Sequence, residues 1–316
     1  MRNFDGNFFI NPGVFGEVYG AESSTAQWRQ DFVLSDGLTT EKHWTQYTGM
    51  GRVGRVGESH VRSAGLQASY NSRVHRFYVP NFSASTEIQL PEDEARHLAR
   101  VLRLRAGDSI AIFDGQGREA LARVASVTLG RVSVHVVDPR TPAPEPRVAV
   151  TLAQALLKSD KMDRVIRDAV MLGVTAVQPI VSRRTDVPMK AVKGGGRQDR
   201  WDRTVISSVK QCGRAVVPPV HEAQELGPFL RASDQQRLMF VEPGASDKVA
   251  DVASLEGQQP STAIVLIGPE GGWDPQEIQD AAVAGAHLLS FGGRVLRADA
   301  AGAAVISVLR YIWRDL

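Results

Sequence analysis

The stretch AIVLIGPEGGWDPQEIQDAAVAG, residues 263–285, decides how the rest of the chain is read. An apolar strand runs into Gly268-Pro269-Glu270-Gly271-Gly272. Asp274, Pro275 and Glu277 then supply an N-cap, a proline at the first helical position and an acid at the third. Three glycines between strand and helix let a ligand approach the backbone closely. Open α/β sheets bind ligands at the carboxyl ends of their strands. The loop lacks the Gly-Lys-Ser/Thr ending of a P-loop, which argues against an ATP site of that type.

A second loop, SFGGRVLR (290–297), also follows a strand, HLLSFG, and sets Arg294 and Arg297 before the last helix, DAAGAAVISVLRYIW. Two glycine loops after neighbouring strands can wall one pocket, lined by backbone and apolar groups. Further out, residues 148–316 alternate strands (VAVTLAQ, TAVQPIV, RLMFVE) with helices (KSDKMDRVIRDAVMLG, DRWDRTVISSVKQCG). In the first helix Met162, Val165, Ile166, Ala169 and Leu172 share one face, and Gly173 stops it. This alternation predicts a mainly parallel α/β sheet.

TPAPEPR at 141–147 is a proline-rich linker and the expected domain boundary. Before it, residues 74–140 read as a compact β-rich unit. Its strands are HRFYVP, TEIQL, SIAIFD, REALARVASV and RVSVHVVD, with one helix over PEDEARHLARVLRLR. Gly115-Gln-Gly117-Arg-Glu-Ala120 has the spacing of a dinucleotide fingerprint. β-patterned sequence follows it where a helix is required, so a hairpin turn is expected.

The single cysteine among 316 residues, Cys212, excludes an intramolecular disulfide framework and any multi-cysteine zinc site, and no metal site is expected. No base is visible to activate Cys212, which reads as structural. No run of 18 apolar residues occurs and the start lacks the apolar core of a signal peptide, so no membrane association and a cytoplasmic location are expected. Net charge is only +2, but 30 of the 37 basic residues are arginine, whose planar fork suits phosphates and base edges. A GC-rich genome gives the same count, so placement decides. Arg96, Arg100 and Arg103 fall at i, i+4, i+7 on the expected helix, and Arg183-Arg184 follow TAVQPIV. Both groups suit phosphate contacts, and a solvated polar face is the alternative. Residues 1–73 hold 10 of the 29 glycines and 10 of the 21 aromatics without sustained periodicity. They read as a disordered or non-native extension, with translation of the native protein expected to start near Val74.

IGPEGGW, FGGRVLR and the alanine-rich last helix together resemble the closing motifs of the SPOUT methyltransferases. The similarity is to the RsmE family of ribosomal RNA uridine-N3 methyltransferases. HRFYVP, HLARVLRLRAGD, KMDRVIRDAVMLGV, QPIVSRR and QCGRAVVP extend it over about 74–316. The resemblance implies a small PUA-like β-barrel domain for RNA (74–140) before a SPOUT α/β-knot domain (148–316) with a trefoil knot. It implies a homodimer acting on 16S ribosomal RNA in the small subunit. It implies S-adenosylmethionine as cofactor, held by Glu242, Gly268, Glu270, Gly271, Gly272, Leu289, Gly292, Leu296 and Arg297. RNA contacts are expected from Arg76, Arg96, Arg100, Arg103, Arg183 and Arg184.

Uridine N3 bears a proton on its Watson–Crick edge, so the base must be unpaired or flipped out and deprotonated. The enzyme then has to align the base, stabilise the uracil anion and supply a proton acceptor. Arg294, Arg297 and Arg214 are the candidate anion stabilisers, and Asp299 or Glu270 the acceptor. The chain departs from the family pattern where Ala298-Asp299-Ala300 stands for Thr-Glu-Thr, and at Gly293, where proline is frequent. Asp299 could serve only to cap the last helix. Two other readings stay open at this point: a SPOUT enzyme for a ribose hydroxyl or a guanine, and an RNA-binding relative without catalysis.

Overall fold

The computed structural model describes residues 74–315, apart from 81, 83–86, 129, 192–195 and 233–234. The expectations for residues 1–73 lie outside the described residues. The described chain forms two sheets. The first contains β1 (Arg76–Tyr78), β2 (Ile88–Gln89), β3 (Ser109–Phe113), β4 (Glu119–Thr128) and β5 (Arg131–Arg140), in the order β1-β3-β4-β5-β2. Helix α1 (Glu92–Arg96) lies between β2 and β3 in sequence. β3 and β4 form an antiparallel hairpin, and its turn holds Gly115 and Gly117 at φ +80° and +102°. The dinucleotide-like spacing is thus the hairpin turn expected of it. β1 pairs parallel with β3, and β1 and β2 are the outer strands of this sheet.

The expected helix over 92–105 takes a different form. After Arg96 the winding changes to a π-helix, His97–Leu102, and Arg103 follows in the left-handed region at φ 54°. Its wider i→i+5 turn breaks the α-helical phase. The three arginines are exposed but do not share one α-helical face.

The second sheet follows the linker. Its elements are β6 (Ala149–Ala155), α2 (Lys161–Met171), β7 (Ala176–Val181), α3 (Gly196–Cys212), β8 (Gln224–Glu225) and α4 (Leu226–Arg231). They continue with β9 (Arg237–Phe240), β10 (Ala250–Asp251), β11 (Thr262–Ile267), α5 (Pro275–Val283), β12 (His287–Ser290) and α6 (Ala298–Ile312). All pairings are parallel, in the order β10-β12-β9-β11-β6-β7-β8.

Both faces of this sheet are covered, which is why its strands are apolar throughout rather than alternating. In β11, Ala263, Val265 and Ile267 face the core built by α2, α3 and α6, whereas Ile264 and Leu266 face the core built by α4 and α5. The strand order backtracks. β11 lies between β9 and β6, and β12 between β10 and β9, so both late strands enter gaps between strands laid down earlier. The knotted fold implied by the resemblance requires such a pass-back.

A polar seam joins the two sheets. Phe113 of β3 is fully buried in the core of the second sheet. The Arg76 guanidinium lies 4.7 Å over its ring. Arg76 Nη1 donates to the carbonyls of Val209 (2.7 Å) and Lys210 (3.2 Å) in the last turn of α3, where a cation complements the helix dipole. Its Nη2 binds Glu119 Oε2 at 2.6 Å and the carbonyl of Arg214 at 2.7 Å. Lys210 Nζ reaches Glu94 Oε2 of α1 at 2.7 Å. Arg76 is therefore not an RNA contact: its side chain is turned into the seam, where it fastens one sheet to the other.

Candidate functional site

Because β9, β11 and β12 run parallel as neighbours, their carboxyl ends open onto the same edge of the sheet. A cavity of about 520 Å³ lies there, a size suited to a small organic ligand. Phe240, Ile267, Phe291, Leu296 and Val305 give it apolar walls. The two glycine loops and the first turn of α6 close it.

The first glycine loop is held from several sides. The N–H of Gly272 donates to the carbonyl of Pro269 at 3.0 Å. Gly272 has φ +68°, and a Cβ there would sit 3.0 Å from Glu242 Oε1. Trp273 donates its indole N–H to the carbonyl of Phe240 at 2.9 Å, tying the loop to β9. A Cβ on Gly268 would press on that indole at 3.2 Å. Asp274 and Glu277 form the capping box of α5 that the sequence predicts.

Arg183 and Arg184 fasten this loop. Glu277 Oε1 accepts the N–H of Arg183 at 2.8 Å, and Arg183 Nη1 binds Asp274 Oδ1 at 3.2 Å. Arg184 Nη1 donates to the carbonyl of Gly271 at 3.2 Å. Both side chains remain half exposed.

The ionic groups of the pocket fall into two pairs and two unpaired charges. Lys161, in the first turn of α2, places Nζ 2.8 Å from Glu270 Oε1. Burial pushes the Glu270 carboxyl up, but Lys161 and backbone N–H groups outweigh it and hold it below the usual carboxylate range. Arg297 binds Asp299 through Nε at 3.1 Å and Nη2 at 3.3 Å. The hydrogen bond from Arg297 holds Asp299 below its ordinary value, against a smaller upward push from burial. Glu242 and Arg294 are exposed at the pocket, and their side chains make no hydrogen bond or ion pair among the described residues.

Of the residues singled out from sequence, Glu242, Gly268, Glu270, Gly272, Arg294, Leu296, Arg297 and Asp299 line this cavity. Gly271 and Gly292 lie in its loops without facing it. Leu289 is 1% exposed in the core of the sheet, and its carbonyl is taken by the N–H of Val241. It supports the wall rather than forming it. Arg214 is a correction. It is 4% exposed, and its guanidinium binds Glu145 of the linker (Nε–Oε1 3.0 Å) and the carbonyl of Val170 (2.8 Å). It anchors the linker and does not reach the cavity. Asp299 does not cap α6 either: the N-cap position is Arg297, with no side-chain capping bond.

Sequence reasoning missed Lys161, Trp273 and Phe240. Trp273 lies within the decisive motif, and Phe240 ends a strand read correctly, so the carboxyl-end rule could have found both. Lys161 is 109 positions from Glu270, and no spacing announces their pairing.

Residues 144–310 match the family model described as an RNA methyltransferase domain, and residues 90–137 match the RNA methyltransferase PUA domain. The ribosomal RNA small subunit methyltransferase E of Synechocystis is 30% identical over 67% of this chain and 68% of its own. The protein of that name from Bacillus subtilis is 26% identical over 73% and 90%. A structure of ribosomal RNA small subunit methyltransferase E from Neisseria gonorrhoeae, bound to S-adenosylmethionine, gives a TM-score of 0.69. It is 33% identical, covering 76% of this chain and 98% of that one. A Legionella pneumophila protein solved with S-adenosylmethionine gives 0.71 at 27% identity, over 76% and 98%. By domain order, sequence and fold, this chain belongs to the ribosomal RNA small subunit methyltransferase E family, a PUA unit leading a SPOUT methyltransferase domain.

Proposed function

We propose that the chain methylates N3 of a uridine in the RNA of the small ribosomal subunit, using S-adenosylmethionine. The observation that carries this is the cavity where three parallel strands end, walled by two glycine loops, in a chain of this family. The residues present suit the cofactor. The apolar walls accept an adenine, and the unpartnered Glu242 carboxylate can take ribose hydroxyls or an ammonium. Bound there, the sulfonium supplies an electrophilic methyl group.

The chain's own groups then have to hold the uracil and favour loss of its N3 proton. Glu270 and Asp299 are both ion-paired and held below the carboxylate range, so each is a weak proton acceptor. Stabilisation of the uracil anion therefore matters more than the strength of the base. Arg294, unpaired at the cavity, is the arginine we assign to that anion, since Arg297 is engaged by Asp299. Arg100 and Arg103, exposed and unpaired among the described residues, with Arg183 and Arg184 beside the pocket loop, are assigned to the RNA backbone. A homodimer accords with the exposed Tyr311 on α6 and Val295 at the pocket, 74% and 67% accessible. Light scattering of the purified protein tests it.

The test of function is mass mapping of 16S ribosomal RNA from a strain lacking the gene. Loss of one N3-methyluridine, restored by the wild-type gene and not by Arg294→Ala, is the expected result. An unchanged N3-methyluridine overturns the proposal.

A further inference from the structure

We infer that Lys161 stabilises the deprotonated uracil, as a preorganised hydrogen-bond donor on the pocket wall. The inference rests on the uridine-N3 reaction proposed above.

Three cations border the cavity. Arg297 is bound by Asp299 through two nitrogens and its side chain is 75% exposed. Arg294 is unpinned on an exposed loop. Lys161 differs from both. It stands in the first turn of an 11-residue helix whose next residue, Met162, is 2% exposed in the core. Its ammonium is pinned to Glu270 at 2.8 Å, and its side chain is 30% exposed. The other charged groups bordering the cavity are Glu242 after β9, Arg294 on the second loop, and Arg297 and Asp299 at the start of α6. An ammonium has three N–H donors, and Glu270 accepts one. The remaining N–H groups have no acceptor among the described residues.

Loss of the N3 proton leaves a negative charge that spreads over N3 and the two carbonyl oxygens, O2 and O4. A donor fixed before the charge develops needs no reorganisation when it appears, and it is worth more inside a shielded cavity than in water. The anion has two carbonyls, one on each side of N3, so Lys161 and Arg294 can serve it together. In the balanced step, the N3 proton passes to solvent water, the N3 electron pair it leaves behind forms the N–CH₃ bond, and the S–CH₃ bond that breaks leaves its pair on sulfur.

The test compares wild type, Lys161→Met and Lys161→Arg on small-subunit particles reconstituted with uridine or 5-fluorouridine RNA. Fluorine makes N3–H more acidic and so lessens the need for a stabiliser. At neutral pH, Lys161→Met is expected to lose about 100-fold in kcat. That loss should shrink as pH rises and be largely restored on 5-fluorouridine particles. Lys161→Arg should keep most of the rate. S-adenosylmethionine affinity by calorimetry should stay within the wild-type range. As a readout independent of turnover, wild-type affinity for 5-fluorouridine particles should rise as the base ionises, and Lys161→Met should lack that rise. A loss equal at every pH and on both RNAs, or a matching loss of cofactor affinity, overturns the inference and leaves Lys161 only as the clasp of Glu270. If wild type forms no N3-methyluridine on either particle, the uridine reading itself fails.

Discussion

Asp299 shows how one methylene alters a site. An aspartate where the family pattern has glutamate keeps the carboxylate but shortens its reach, and here it closes back on Arg297, two residues away. That pairing removes one of the arginines the sequence offered for the substrate, and Arg214 is removed by its burial against Glu145. Arg310 and Asp315 make the opposite case, a charge pair used for stability. Arg310 is 1% exposed and donates to the carbonyls of Val148 and Gly173 and to Asp315 Oδ2. Burial pushes the Asp315 carboxyl up, but the N–H groups of Val148 and Arg147 and the Arg310 charge hold it below its usual value. A carboxyl with a depressed folded pKa contributes stability above its unfolded pKa and loses it as pH falls through the folded one. Asp315 therefore adds acid lability only below about pH 4. Asp315→Asn leaves Arg310 buried without a counter-charge and should cost about 3 kcal/mol in urea unfolding at neutral pH. Below the folded pKa of Asp315, that difference should shrink.

Among elements, the π-helical turn His97–Leu102 is where the sequence was least readable. Its leucines and arginines repeat at α-helical spacing, and nothing in HLARVL announces the wider turn. Strands β6, β7, β9, β11 and β12 and helices α2, α3, α5 and α6 were legible because burial on both faces leaves continuous apolar runs, and the capping box of α5 is written in four residues. The short β8, α4 and β10 carry too few residues to show a period and were not read. The glycine loops were legible for the same local reason. What joins them was not: the Lys161–Glu270 clasp and the Arg183–Arg184 strap depend on which elements become neighbours. The arginines around the π-turn yield a prediction. If Arg100 and Arg103 meet phosphates, replacing either with alanine should weaken RNA binding at all sequences and reduce the salt slope by about 1 each. Arg96 should contribute less, because it already binds Glu92 at 2.7 Å and Asp93 at 3.2 Å. Binding titrations over a range of salt concentrations check this.

For the whole molecule, the seam decides whether the two sheets act as one body. Arg76 joins them through the carbonyls of Val209, Lys210 and Arg214, its side chain 9% exposed and held from its own sheet by Glu119 of β4. The hairpin turn adds a hydrogen bond from Val217 N–H to the carbonyl of Gly115 at 2.9 Å. The proline-rich stretch between β5 and β6 stands out in sequence, whereas this fastening does not, because HRFYVP reads only as a short strand. Calorimetry of the wild-type protein should show the described domains unfolding together. Arg76→Met should lower stability by about 3 kcal/mol and split the transition, since Glu119 then keeps only Arg140 at 3.3 Å.

The backtracking strand order also fixes when the enzyme comes into being. Apart from Lys161, every residue bordering the cavity lies from Phe240 onward, and β11 and β12 are the strands that enter gaps already formed. A parallel sheet of distant strands has few local contacts to start from and assembles late. A growing chain thus acquires its PUA unit and one side of its second sheet well before it can hold a methyl donor. Occupancy of the cavity therefore reports a copy whose last strands and α6 are already in place.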